Sequence, residues 1–135
     1  MSKPIKTTIS VLCRDRFSRN ETFKTYEYTT EGLAYNFNVA VIRAWDPLLK
    51  FHHKKRRWSI IHINSGHSIA YSSTKPGAMF LAERLQQVDF DTVRQERFVG
   101  PAKKRAAIKQ ALVNALEEGR KQGYKYSLSY FEKES

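Results

Sequence analysis

KFHHKKRRWSIIHINSGHSIAY, residues 50–71, sets the frame for the rest of the chain. Its first part holds Lys50, Lys54, Lys55, Arg56 and Arg57 with no acidic residue among them, and His52 and His53 lie inside it. An apolar run follows at 58–63, then Asn64-Ser65-Gly66, then a return through His67 to Tyr71. Two β-prone runs joined by Asn, Ser and Gly read as a β-hairpin. The basic stretch reads as a loop that feeds it. Trp58, Ile60 and His62 fall on one face of the first strand, and Ser59, Ile61 and Ile63 on the other. Apolar residues on both faces predict a central strand covered by a helix on at least one side.

Upstream, residues 7–13 alternate Ile9, Val11 and Cys13 against Thr8, Ser10 and Leu12, which is the period of a strand. Residues 14–21 are polar and read as a loop. Residues 22–30 are rich in threonine and aromatics, which suit a pleated surface. Phe23, Thr25 and Glu27 oppose Lys24, Tyr26 and Tyr28. Gly32 predicts a turn over 30–33, because glycine takes positive φ at no steric cost. The chain then reads as one long strand over 34–45, with Tyr35, Phe37, Val39 and Val41 on one face and Asn36, Asn38, Ala40 and Ile42 on the other. The aromatic and amide faces could stack and hydrogen-bond bases. Core bulk is the commoner role for large aromatics. Asp46-Pro47 breaks the strand.

Downstream, Ser73 or Thr74 can cap a helix whose first turn tolerates Pro76. Ala78, Leu81, Ala82, Leu85 and Val88 recur at helical spacing and predict a helix over 75–88. Residues 89–99 are ambiguous and read as a short connecting segment that could be helical, and Gly100-Pro101 is a break. A second helix over 102–118 is predicted from composition and from the stripe Ile108, Ala111, Leu112, Ala115 and Leu116. Lys103, Lys104 and Arg105 crowd its first turn, against the helix macrodipole. Residues 124–131 alternate aromatic and polar side chains and read as a last strand or a docked tail.

These elements fit one domain over 1–135: strand-rich at 5–72, helical at 75–120, with a final strand or tail. A hydrophobic share of 41% is enough for a packed core, which argues against global disorder. No apolar run is long enough to span a bilayer, and 1–13 lacks an apolar signal core, so a cytoplasmic or nucleoid location is expected. The single cysteine, Cys13, reads as a small core residue.

Charge is the strongest functional signal. The chain carries 24 Lys and Arg against 13 Asp and Glu, a net charge of +11. Nearly all of the excess lies in 50–57 and in 101–125, where Lys103, Lys104, Arg105, Lys109, Arg120, Lys121 and Lys125 face only Glu117 and Glu118. Charge this concentrated repels itself until something negative neutralises it, and phosphate backbone is the common partner. Four histidines give no complete set of metal ligands at familiar spacing, so no metal or other cofactor is expected. The acids are scattered, and no phosphate-binding glycine loop, dinucleotide fingerprint or nucleophile elbow is present, so an enzyme is not expected.

The run W-S-I-I-H-I-N-S-G-H-S-I-A followed by FLAERLQQ resembles a hairpin-then-helix pattern of small phage and plasmid proteins, over about a third of the chain. In architecture, strands followed by a helix on a basic chain are similar to the Whirly and positive-cofactor-four single-strand-binding folds. The short lysine-glycine signature of Whirly proteins is absent. These readings predict an α+β domain with an antiparallel sheet of about five strands and two helices packed on one face. The expected function is nucleic-acid binding with little base specificity, favouring single strands and DNA over RNA. One patch would comprise Lys50, Lys54, Lys55, Arg56 and Arg57, and the other Lys103, Lys104, Arg105 and Lys109. Trp58, Tyr26, Tyr28, Tyr35 or Phe37 would stack bases where exposed. This requires both basic stretches to share one surface. Two alternatives are an interaction protein of a mobile element, binding an acidic host protein or assembling as a homo-oligomer, and a metal-dependent nuclease.

Overall fold

A computed structural model of the chain describes residues 3–14, 25–44, 58–90, 93–94, 97–98 and 102–128. The period-two segments become strands β1 (Ile5–Arg14), β2 (Thr25–Tyr35), β3 (Val39–Arg43), β4 (Trp58–His62) and β5 (Ser68–Ser72). Helix α1 (Lys75–Leu85) follows, then a short ribbon of β6 (Val93–Arg94) and β7 (Arg97–Phe98), helix α2 (Ala102–Lys121) and β8 (Tyr126–Leu128). The main sheet has six antiparallel strands in the order β1-β2-β3-β4-β5-β8. The expected α+β class is therefore observed. The sixth strand is the C-terminal aromatic segment, which adds to the edge of β5. Residues 89–99, read as a connecting segment that could be helical, hold the short β6–β7 ribbon. Among the described residues no helix is long and apolar enough to cross a membrane.

Alternation gives the sheet two apolar faces. Val39, Val41, Ile60, Ile69 and Ala70 meet Ala78, Leu81, Ala82 and Leu85 of α1 and Ile108, Leu112, Ala115 and Leu116 of α2 in the larger core. On the other face Ile9, Val11, Ala34, Ala40, Ile42 and Ile61 form a smaller core. The far part of the long β1–β2 hairpin bends back over this second face. Leu12 N donates to Gly66 O at 2.9 Å, joining β1 to the β4–β5 turn. Gly66 has φ +75° and lies so close to Ser10 and Leu12 that a side chain there would meet the β1 backbone. Both the turn and the crossing depend on glycine at this position.

Residues 34–45 do not form one strand. β2 runs through the expected turn at 30–33 and ends at Tyr35, and the reversal comes at Asn36-Phe37, both with positive φ (54° and 50°). Asn38 N donates to Tyr35 O at 3.1 Å, closing a turn of the primed type that matches strand twist. The Asn38 amide donates to Gln86 O (3.0 Å) and Val88 O (2.6 Å), and the Asn36 amide to Gln86 O (3.3 Å). These contacts satisfy carbonyls left open where a helix ends. α1 thus stops at Leu85, short of the expected Val88.

The start of α1 follows its sequence signal, since Thr74 Oγ1 accepts from Gly77 N at 3.2 Å and Pro76 sits in the first turn. The two helices run antiparallel. Lys104, at the start of α2, pairs with Asp89 just beyond the end of α1 (2.8 Å). At the other end, the Tyr126 hydroxyl donates to Gly77 O (2.6 Å) in the first turn of α1, and its ring packs on α2 at Gly119.

Burial, and then Tyr124, push the Tyr126 phenol up to about 12, with Arg84 and Arg120 pulling the other way. A phenol whose pKa is higher folded than unfolded favours the fold while it stays protonated. That contribution is complete below the unfolded value near 10 and is lost as pH rises towards about 12. The stability gap between the wild type and Tyr126→Phe is therefore expected to shrink over that interval. Denaturant melts of both proteins across the interval check this, and a constant gap would contradict it.

Candidate nucleic-acid interface

Strand pairing sets Arg43 directly opposite Trp58 at the ends of β3 and β4. The chain between them is 44–57, so the basic segment is anchored at both ends by these two residues. Trp58 also pairs with Ser72 of β5, two residues before the cap of α1, which brings the first helical residue, Lys75, to the same place. The Arg43 guanidinium lies 5.7 Å from the Trp58 ring centroid and the Lys75 ammonium 5.5 Å. Both distances suit cation–π attraction. Arg43 and Lys75 are exposed, and among the described residues no carboxylate pairs with either. Trp58 is half-buried and packs on the larger core, so the ring holds two cations at the surface rather than presenting a bare face.

The same end gathers further positive charge. Ser73 N donates to Lys125 O (3.2 Å), fixing Lys125 beside the start of α1. The last turn of α2 carries Arg120 and Lys121, both exposed, and Arg120 lies near enough to Tyr126 to influence its ionisation. Arg43, Lys75, Arg120, Lys121 and Lys125 thus lie at the same end of the sheet and helices as Trp58.

The opposite end holds the other expected patch. The first turn of α2 begins there, beside Asp89 and the Asn36-Phe37 turn, because the helix runs antiparallel to α1. Lys104 is neutralised by Asp89, while Lys109 is exposed. The expectation that both basic stretches share one surface falls on 50–57, outside the described residues; among the described ones the start of α2 lies away from Arg43 and Trp58. The end of α2, and not its beginning, lies with those anchors. A charge count cannot make this distinction, because both helix ends belong to one basic stretch.

Lys50, Lys54, Lys55, Arg56 and Arg57 lie outside the described residues, as do the side chains of Lys103, Arg105 and Tyr26. Tyr35 is buried at 3% exposure, so it serves the core and has no face for a base, and burial followed by the charge of Glu83 raises its phenol pKa. Tyr28 is half-buried against the smaller core. Phe37 is 68% exposed. Asn36 and Asn38, considered above as partners for bases, give their amides to the end of α1.

His52 and His53 lie outside the described residues. His62 and His67 do approach across the β4–β5 turn, and both are buried. The His62 Nδ1 and Ser65 Oγ are 2.8 Å apart, Ser65 Oγ also accepts from His67 N (3.2 Å), and the His62 ring packs on Phe90. Among the described residues no three His, Cys, Asp or Glu side chains converge as metal ligands. The sequence reading counted Arg120, Lys121 and Lys125 in the basic stretch without placing them in a patch, and of the candidate interface it missed Arg43 and Lys75 altogether. Their signal was position: one ends the strand before the basic segment, and the other starts a helix without an acid in its first turn. Comparison with protein-family models, curated proteins and solved structures finds no match to this chain, so the interface rests on its own geometry.

Proposed function

We propose that this protein binds nucleic acid through backbone phosphates, with little base specificity, at the end of the sheet marked by Trp58. The observation that carries the reading is the pair of exposed cations, Arg43 and Lys75, held on the ring of Trp58, the residue at which the basic segment returns to the sheet. Neither cation has a carboxylate partner among the described residues, so a phosphate at this end would neutralise charge that is otherwise uncompensated. Lys125, Arg120 and Lys121 extend the positive field at the same end. The bonding is to phosphate rather than to base edges, so the contacts position the polymer without reading its sequence. The reading places the protein in the cytoplasm, in direct reach of DNA.

The test is a salt titration with labelled single- and double-stranded oligonucleotides, followed by anisotropy. Log affinity is expected to fall linearly with log salt, with a slope near −0.9 per phosphate contacted on duplex and about −0.7 on single strands. No binding at low salt, or binding indifferent to salt, would defeat the proposal.

A further inference from the structure

Phe37 is the one exposed aromatic among the side chains described. It occupies φ 50°, a region that bulky side chains avoid. Its neighbour Asn36 suits that conformation, and Phe37 does not. The mount is rigid: Asn36 and Asn38 are bonded to the end of α1, and Ile63 N donates to Asn38 O (2.9 Å) from the next turn of the sheet. An aromatic ring is thus displayed to solvent, in a strained conformation, on a fixed support. Strain of this kind accumulates where a residue serves something other than the fold.

We infer that Phe37 stacks on an unpaired base, making the protein selective for single-stranded over double-stranded nucleic acid. This rests on the reading above. The occupant follows from charge: a chain at +11 draws in a polyanion, and the part of a polyanion that fits an exposed ring is a base face. In a duplex those faces are stacked within the helix and closed to Phe37. Phosphates at the Trp58 end and a base at the Phe37 end would be held by one extended strand crossing the molecule along the direction of its strands.

The test compares the wild type, Phe37→Asn and Phe37→Trp on a single-stranded oligonucleotide and its duplex. Asparagine keeps a residue at ease with positive φ and removes the ring, and tryptophan restores a ring. Phe37→Asn is expected to lose about fivefold or more in single-strand affinity with duplex affinity and melting midpoint maintained, and Phe37→Trp to recover the loss. Unchanged single-strand affinity in Phe37→Asn overturns the inference, as does an equal loss on both probes. Loss of self-association with oligonucleotide binding intact would assign the ring to a protein contact, and also overturns it. If Arg43→Ala/Lys75→Ala weakens binding and Phe37→Asn does not, the inference fails and the phosphate reading stands. If the wild type binds neither probe, both fail.

Discussion

Replacing Arg43 and Lys75 together by alanine is expected to weaken oligonucleotide binding on the order of ten- to thirtyfold at physiological salt. It should also make the salt slope shallower by roughly 2, from two phosphate contacts at about 0.9 each. The expectation differs from a general effect of net charge. Replacing Lys3 and Lys6 removes as many charges, yet both are exposed near the start of β1, and Lys6 already pairs with Glu31 (2.7 Å). That control variant should shift affinity little. Removing the two cations also removes two exposed cation–π contacts, worth about 0.5–1 kcal/mol each. Trp58 keeps its packing on the larger core, so the double variant should lose no more than about 2 kcal/mol of stability from this source. Anisotropy and a thermal melt on the same samples separate the two effects. Equal losses in the Lys3/Lys6 variant would show that the field acts without a defined site.

The limits of the sequence reading come from how strands and helices register. The hairpin at 58–72 was legible because two β-prone runs flank residues suited to a turn, and α1 because Thr74 and Pro76 announce its start. The β2–β3 reversal was hidden for a geometric reason. Tyr35 pairs with Val39, four residues on, so both lie on the same face and alternation continues unbroken across the turn. A period-two pattern cannot register such a loop, and only the two asparagines around Phe37 marked it. The candidate interface was half legible. The basic segment is plain in the sequence, but Arg43, Trp58 and Lys75 come together through β3–β4–β5 pairing and a helix start. Which end of α2 joins them depends on the direction in which that helix packs. Charge counting assigns both ends alike.

Gly32 separates the sequence expectation from the fold most sharply. Substituting alanine is expected to cost about 1–2 kcal/mol net, an overpacking penalty of up to about 3 less a gain of about 0.5–1 from restricting the unfolded chain. Gly32 lies within β2 with an ordinary φ, so strain from a left-handed conformation plays no part. A Cβ there would come within 2.8 Å of Ile42 Cγ2, 2.9 Å of Val41 O and 3.0 Å of Ile9 Cγ1. None of these can easily withdraw. Val41 is paired to Leu33 in the ladder beside Gly32, and Ile9 and Ile42 are 2% and 1% exposed within the smaller core. The close approach is what lets the β1–β2 hairpin turn back over that core. Alanine and asparagine together distinguish a tight crossing from a turn. At a turn with positive φ, asparagine is tolerated better than alanine. At a crossing without room, the larger side chain must do more damage, so Gly32→Asn is expected to melt below Gly32→Ala. A Gly32→Asn variant as stable as the wild type would return the reversal to 30–33 and undo the assignment of Asn36-Phe37 as the turn.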